Sequence, residues 1–292
     1  MVKTTSISPD GADYEIRVVG EHRAPLRDFY HAMMRLSWTA TLLVIAASFL
    51  LVNCVFAVGY LLIDGVKGAH PGSLSDAFFF SVETMGTIGY GAMYPESIGA
   101  NVLMVGESIV SLILTALATG LVFAKFSRPT ARVVFTREAV VSSLNGVPTL
   151  MLRLGNERGN QIVDVRIRAV MIRAEHLDDG STFYRMLDLK LSRAHALSLS
   201  RSWSVQHPID AHSPLHGATA QSLIDEEAEL QILIVGLDDT SMQTIHASHR
   251  YYAKQVIFDA KHADILTEAD DGALILDLRK FHDVVPNSKA GA

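Results

Sequence analysis

The stretch Thr87-Ile88-Gly89-Tyr90-Gly91 carries glycine at alternate positions, inside a connector between two long apolar segments. Glycine tolerates backbone conformations closed to other residues. Successive carbonyls of such a run can therefore face one axis and replace the water shell of a dehydrated ion, while Ile88 and Tyr90 point away into packing and Thr87 adds a hydroxyl. Upstream lies Ala77-Phe78-Phe79-Phe80-Ser81-Val82-Glu83-Thr84-Met85, opened by Ser73, Ser75 and Asp76 as candidate N-caps. A helix of 10 to 12 residues rises about 15 to 18 Å, so it enters a bilayer core of about 30 Å and stops midway. That is tolerated only where protein or water covers the exposed backbone. The spacing predicts a re-entrant pore helix over 74–86 that leads into the run 87–91, with the negative helix end turned toward a cation.

Working outward, Ser37 to Ile63 holds no Asp, Glu, Lys or Arg, and Asn101 to Ala124 holds only Glu107. Both exceed the roughly 20 apolar residues a membrane crossing needs, which predicts transmembrane helices over 37–63 and 100–126. A signal peptide is the alternative for the first, but Asp10, Asp13, Glu15, Glu21 and Asp28 precede it, unlike a short basic leader. Arg17, Arg23, Arg27 and Arg35 flank the first span, and Lys125, Arg128, Arg132 and Arg137 follow the second; the connector holds Lys67 alone. The positive-inside rule then puts both termini in the cytoplasm of a multi-pass protein of the cell inner (plasma) membrane. A net charge of -6 argues against a nucleic-acid partner. Cys54, the one cysteine, reads as helix packing and permits no intrachain disulfide.

Residues 1–25 read as a loosely ordered tail. Leu26, Phe29, Tyr30, Met33 and Met34 fall at helical spacing among Arg27, Asp28, His31 and Arg35, predicting an amphipathic helix over 26–36. It either lies in the headgroup layer or forms the packed cytoplasmic end of span one. After Pro129 the period changes to two. Val163, Val165, Ile167 and Ala169 alternate with charged residues, and turn signals such as Asn145-Gly146 recur. The fold class is a membrane α pore domain over 37–128 followed by an all-β sandwich over 129–285, with 286–292 as a tail.

Placed after a re-entrant helix and between two spans, the glycine-rich run resembles the potassium-channel signature. The resemblance implies K+ as the permeant ion, no organic cofactor, and a homotetramer, since one chain supplies one wall of a filter. Leu121-Val122-Phe123-Ala124-Lys125-Phe126-Ser127-Arg128-Pro129 and His207-Pro208-Ile209-Asp210-Ala211-His212-Ser213-Pro214-Leu215 are similar to the inward-rectifier potassium channel family, in its prokaryotic (KirBac type) branch. Membership implies a slide helix, an immunoglobulin-like cytoplasmic domain that extends the conduction path, and a helix-bundle gate at Phe123. Sequences of this branch are not enzymes, and no nucleophile elbow, phosphate loop or zinc motif is present.

Ser108, Ser111, Thr115 and Thr119 step by 3, 4 and 4 along span two, a stripe that either lines the pore or packs against another helix. In strongly rectifying relatives the position of Thr115 carries an acid that draws in magnesium or polyamines, so threonine implies weak intrinsic rectification; Mg2+, polyamines and Ba2+ are the blockers the resemblance implies. Asp238 and Asp239, just before a segment resembling the cytoplasmic G-loop gate (242–249), form either a shallower acidic ring or a solvated turn. Glu83 departs from the pattern: Ala92 and Met93 stand where a partner is usual, so it must be protonated, bonded to filter backbone, or paired elsewhere. Glu107 is placed behind the filter as a second supporting acid. Arg27, Arg35, Lys125, Arg128 and Arg132 form a basic cluster that either binds anionic headgroups or serves topology alone. His207, with His212 and His216, reads as loop structure over a metal site. A less selective cation channel and a membrane-tethered sensor or scaffold are the competing functions; an anchor has no need of a filter.

Overall fold

A computed structural model describes residues 5–7, 16–18, 29–127 and 131–287. The chain divides into two compact units, one with the helices up to Arg128, the other with residues 5–18 and everything from Pro129. The tail expected over 1–25 contains two short strands, β1 (Thr5–Ile7) and β2 (Ile16–Val18), paired antiparallel. Their trace in the sequence is β-branched content, Thr5, Ile7, Ile16 and Val18.

The helical unit consists of α1 (Phe29–Arg35), α2 (Trp38–Ile63), α3 (Leu74–Met85) and α4 (Ile98–Phe126). At 1.5 Å per residue α2 and α4 are about 39 and 43 Å long, and α3 about 18 Å. Serines open three of them: Ser37, Ser73 and Ser97 accept the amides of Ala40, Asp76 and Ala100, so each start is fixed by a side-chain cap. The outward faces of the long helices are apolar, with Leu43, Leu62, Ile98 and Leu112 exposed, a surface suited to lipid. Toward its C-terminal half α2 buries one stripe, Asn53, Ala57 and Tyr60, and near its start it buries Thr41. Ala57 and Tyr60 pack on Ala77 and Phe80 of α3, the two rings edge to face at 4.9 Å. Where the connector returns, β3 (Val66–Lys67) pairs with β4 (Tyr94–Pro95), and Lys67 bridges Glu96 at 3.0 Å. Gly68, at φ +87°, is required there because a Cβ would lie 2.2 Å from the Ala92 carbonyl oxygen.

The second unit is the all-β sandwich. Its strands are β5 (Val133–Phe135), β6 (Ala139–Leu144), β7 (Val147–Asn156), β8 (Ile162–His176), β9 (Thr182–Asp188), β10 (His195–Leu199), β11 (Ser202–Pro208), β12 (Glu229–Asp238), β13 (Thr244–Tyr252) and β14 (Val256–Phe258). One sheet runs β10-β8-β12-β13 with β9 also on β8, the other β11-β7-β6-β14 with β5 also on β7. Alternate residues of each form the core: Val165, Ile167, Ala169 and Met171 of β8 and Leu230, Ile232 and Ile234 of β12 share it with Leu150, Leu152 and Leu154 of β7. The inward alternation expected from Val163 begins instead at Ile162 and resumes at Val165, because Asp164 takes φ +49° and the register against β12 shifts there. Asn145 and Gly146, both at positive φ, form the tight turn between β6 and β7. β15 (Ala260–His262), β16 (Leu266–Glu268), β17 (Leu274–Leu276) and β18 (Val284–Pro286) make two ribbons, β15 with β18 and β16 with β17.

Candidate ion-conduction site

The run after α3 alternates in handedness. Thr87, Gly89 and Gly91 have φ of +53°, +63° and +78°, whereas Ile88 and Tyr90 are not in the left-handed region. In an ordinary strand successive carbonyls point to opposite sides; reversing the hand at every second residue turns them to one side, the arrangement a carbonyl-lined filter needs. Glycine meets the requirement freely at 89 and 91, and Thr87 meets it at a cost of about 1 to 2 kcal/mol. A Cβ at Gly89 or Gly91 would touch nothing within the subunit. The constraint there is backbone conformation rather than space. The turn from helix to run is held by the amides of Gly86, Thr87 and Ile88, which donate to the carbonyls of Val82, Thr84 and Glu83.

Behind this run lies a buried polar cluster. Tyr60 of α2 donates to Glu107 Oε2 of α4 at 2.6 Å, and Ser81 of α3 hydrogen-bonds Glu107 Oε1. Ser81 also contacts Asn53 Oδ1 of α2 at 3.0 Å, and Asn53 Nδ2 donates to the Phe49 carbonyl at 2.8 Å and to Met85 Sδ at 3.0 Å. Ser111 of α4 donates to the Met85 carbonyl at 2.7 Å. Asn53, Ser81 and Glu107 are fully buried. Three helices are thus tied together two residues before Thr87.

The transmembrane-domain profile of inward rectifier potassium channels matches residues 14–129, and the C-terminal-domain profile of the same channels matches residues 133–290. The chain belongs to the inward rectifier potassium channel family. Among its relatives is inward rectifier potassium channel Kirbac3.1 of Paramagnetospirillum magnetotacticum, 39% identical over 97% of this chain and 96% of its own. Inward rectifier potassium channel irk-1 of Caenorhabditis elegans is 26% identical over 94% of this chain and 55% of its own. G protein-activated inward rectifier potassium channel 2 of Pongo abelii is 26% identical over 90% and 67%. The protein is a potassium channel subunit of the prokaryotic inward-rectifier type, a membrane protein and not an enzyme, with K+ as its permeant ion.

Not every residue expected at the conduction path of this inward rectifier lies open to it. Ser111 is buried against Met85, so the stripe is broken at that step; Ser108 is half-buried and donates to the Met104 carbonyl. Thr115, Thr119 and Phe123 are exposed on the subunit. Glu83 is half-buried, and among the described residues of one subunit its carboxylate has no hydrogen-bond partner.

Lys125, expected at the headgroups, is instead buried. Its ammonium donates to the carbonyls of Leu36 and Met33 and sits 5.8 Å from the Trp38 ring centroid. Arg35 and Arg132 are exposed, and Arg27 and Arg128 lie outside the described residues. Asp238 is a further correction. The amides of Thr240 and Ser241, the Ser241 hydroxyl and Asn160 Nδ2 all donate to its buried carboxylate. These bonds, that of the Ser241 amide foremost, hold its carboxyl below the usual range. Its charge is spent on shaping the turn between β12 and β13, which leaves Asp239, exposed, as the acid of that pair. The segment 242–249 straddles this turn and lies mostly in β13.

His207 donates from Nδ1 to the Lys190 carbonyl and accepts from the Ser213 hydroxyl at Nε2. Among the described residues no three His, Cys, Asp or Glu side chains gather as a metal site.

Asn53, Ser81 and Tyr60 were missed by sequence reasoning. A signal existed for Asn53 and Tyr60: seven residues, two helical turns, separate these polar groups in the C-terminal half of a mostly apolar span, which places them on one face.

Proposed function

We propose that four copies of this potassium channel subunit assemble around the run 87–91, whose carbonyls strip and coordinate K+ in single file. The observation that carries the reading is the alternation of positive φ at Thr87, Gly89 and Gly91 directly after a half-length helix. Both termini face the cytoplasm of the inner membrane, as the flanking Lys and Arg residues require. Thr115 and Thr119 line the cavity below the filter, and Phe123 narrows it at the cytoplasmic end of α4, where four aromatic rings gate by dewetting. With threonine at 115 no acidic ring attracts Mg2+ or polyamines, so rectification is weak; Ba2+ enters the filter and blocks. Arg35 and Arg132 hold anionic headgroups, each basic residue contributing about 1 kcal/mol.

The Glu83 carboxylate, without a hydrogen-bond partner among the described residues of one subunit, favours a second reading, a less selective cation channel whose filter is loosely held. Recording purified protein in planar bilayers with K+ on one side and Na+ on the other separates the two. With equal concentrations, a reversal potential displaced far from zero in the direction of K+ preference supports the filter, and one near zero supports the looser pore.

A further inference from the structure

The cluster behind the filter contains more acceptors than one hydroxyl can serve. Asn53 cannot be turned over, because its Nδ2 faces the Phe49 carbonyl oxygen at 2.8 Å, an acceptor only. Its Oδ1 therefore faces Ser81 Oγ at 3.0 Å and needs that hydrogen. A serine hydroxyl has one hydrogen to give. The second contact of Ser81, to Glu107 Oε1, must then take its hydrogen from the carboxyl. Glu107 Oε2 accepts from Tyr60. Drawn this way every hydrogen is used once: Tyr60 to Glu107, Glu107 to Ser81, Ser81 to Asn53, Asn53 to Phe49 and Met85. An ionised Glu107 would leave Asn53 Oδ1 facing a lone pair in a fully buried site, where an unmade hydrogen bond is expensive.

We propose that Glu107 is a neutral acid that starts a one-way hydrogen-bond chain through Ser81 to Asn53, and that Ser81 and Asn53 are thereby positioning residues for ion selection. The chain fixes how α3 is rotated between α2 and α4. Ser111 then sets the Met85 carbonyl, two residues before Thr87, from the other side. Glu107 supports the filter through geometry and adds no charge to the ion path. The inference rests on the filter reading above.

Two measurements on the full-length tetramer in lipid test it. Infrared difference spectra between the unmodified channel and Glu107→Gln at neutral pH should show the carbonyl stretch of one protonated carboxylic acid in the former, lost in the latter; no such band overturns the proton assignment. Rubidium and sodium uptake, normalised to folded tetramer, provides the second readout. Glu107→Gln keeps a donor toward Ser81 and an acceptor toward Tyr60, so it should retain the unmodified Rb+ over Na+ ratio. Ser81→Ala cuts the chain and should lower that ratio about fivefold, equivalent to ~1 kcal/mol; Asn53→Ala, cut at the far end, gives the same reading if Ser81→Ala assembles poorly. Fewer tetramers with an unchanged ratio would mean a purely structural cluster and overturn the positioning role. A poor ratio in the unmodified channel would refute the filter reading itself, while the infrared band stands independently of it.

Discussion

Lys125 near the end of α4 donates its ammonium hydrogens to the carbonyls of Leu36 at 2.5 Å and Met33 at 3.3 Å. The last carbonyls of a helix have no partner within it, and a cation there also meets the negative end of the helix dipole. The two contacts therefore join α1 to α4 near Phe123.

Replacing Lys125 by Met keeps the stem and removes the donor. Hydrogen bonds to charged groups contribute about 1.5 to 3 kcal/mol, so amides of residues 29–35 should exchange with solvent markedly faster in Lys125→Met, with ion selectivity unchanged. Unaltered exchange across α1 would show that the tie carries no weight.

Because Lys125 is engaged inside the protein, lipid sensitivity should rest on the exposed arginines. Flux measured over a series of anionic lipid fractions is expected to respond in Lys125→Met as in the unmodified channel, and to flatten when Arg35 and Arg132 are changed together to Gln. The opposite pattern would place the headgroup at Lys125 after all.

Thr115 is exposed on α4 four residues beyond buried Ser111. In the proposed four-subunit channel an acid there would give four carboxylates around the axis, and blocking cations drawn through the membrane field gain about 2.3 kcal/mol per charge per 100 mV. Current against voltage should show weak block by internal spermine in the unmodified channel and strong, voltage-dependent block in Thr115→Asp. Strong block without the aspartate, or none with it, would remove Thr115 from the cavity.

In the β-sandwich unit, burial and then the Arg153 guanidinium push the His262 imidazole from 6.5 down to about 4. Between those values the unfolded chain binds the proton and the folded one does not. The contribution to stability is therefore complete above pH 6.5 and lost progressively as pH falls toward 4. Trp38 and Trp203 are the two tryptophans, so Trp203 fluorescence in a Trp38→Phe background reads this unit alone. Its thermal midpoint should fall over that range, and fall less in His262→Leu; parallel slopes would refute the assignment.

The sequence was legible where the signal is local. Lengths of apolar residues marked α2 and α4, glycine alternation marked 87–91, and period two marked β8. Contacts between distant residues left fainter traces. Lys125 follows Glu107 by eighteen residues, five helical turns, so helical phase alone puts both on one buried face; the basic cluster around Lys125 masked this. The pairing of Ser81 with Asn53 and Glu107 depends on how three helices pack, which spacing within one segment does not encode. Asp238 was hidden in the same way, since its donors come from its own turn and from Asn160 before β8.

The most direct test of the filter is rubidium uptake into liposomes loaded with potassium chloride, comparing the unmodified channel with Gly89→Ala. At φ +63° alanine is disfavoured although its Cβ has room within the subunit, so the variant should fold as a tetramer and lose selective flux. The account predicts Ba2+-sensitive rubidium uptake that sodium does not match in the unmodified channel, and none in Gly89→Ala. Equal sodium and rubidium uptake by the unmodified channel, or a full rubidium preference in Gly89→Ala, would contradict it.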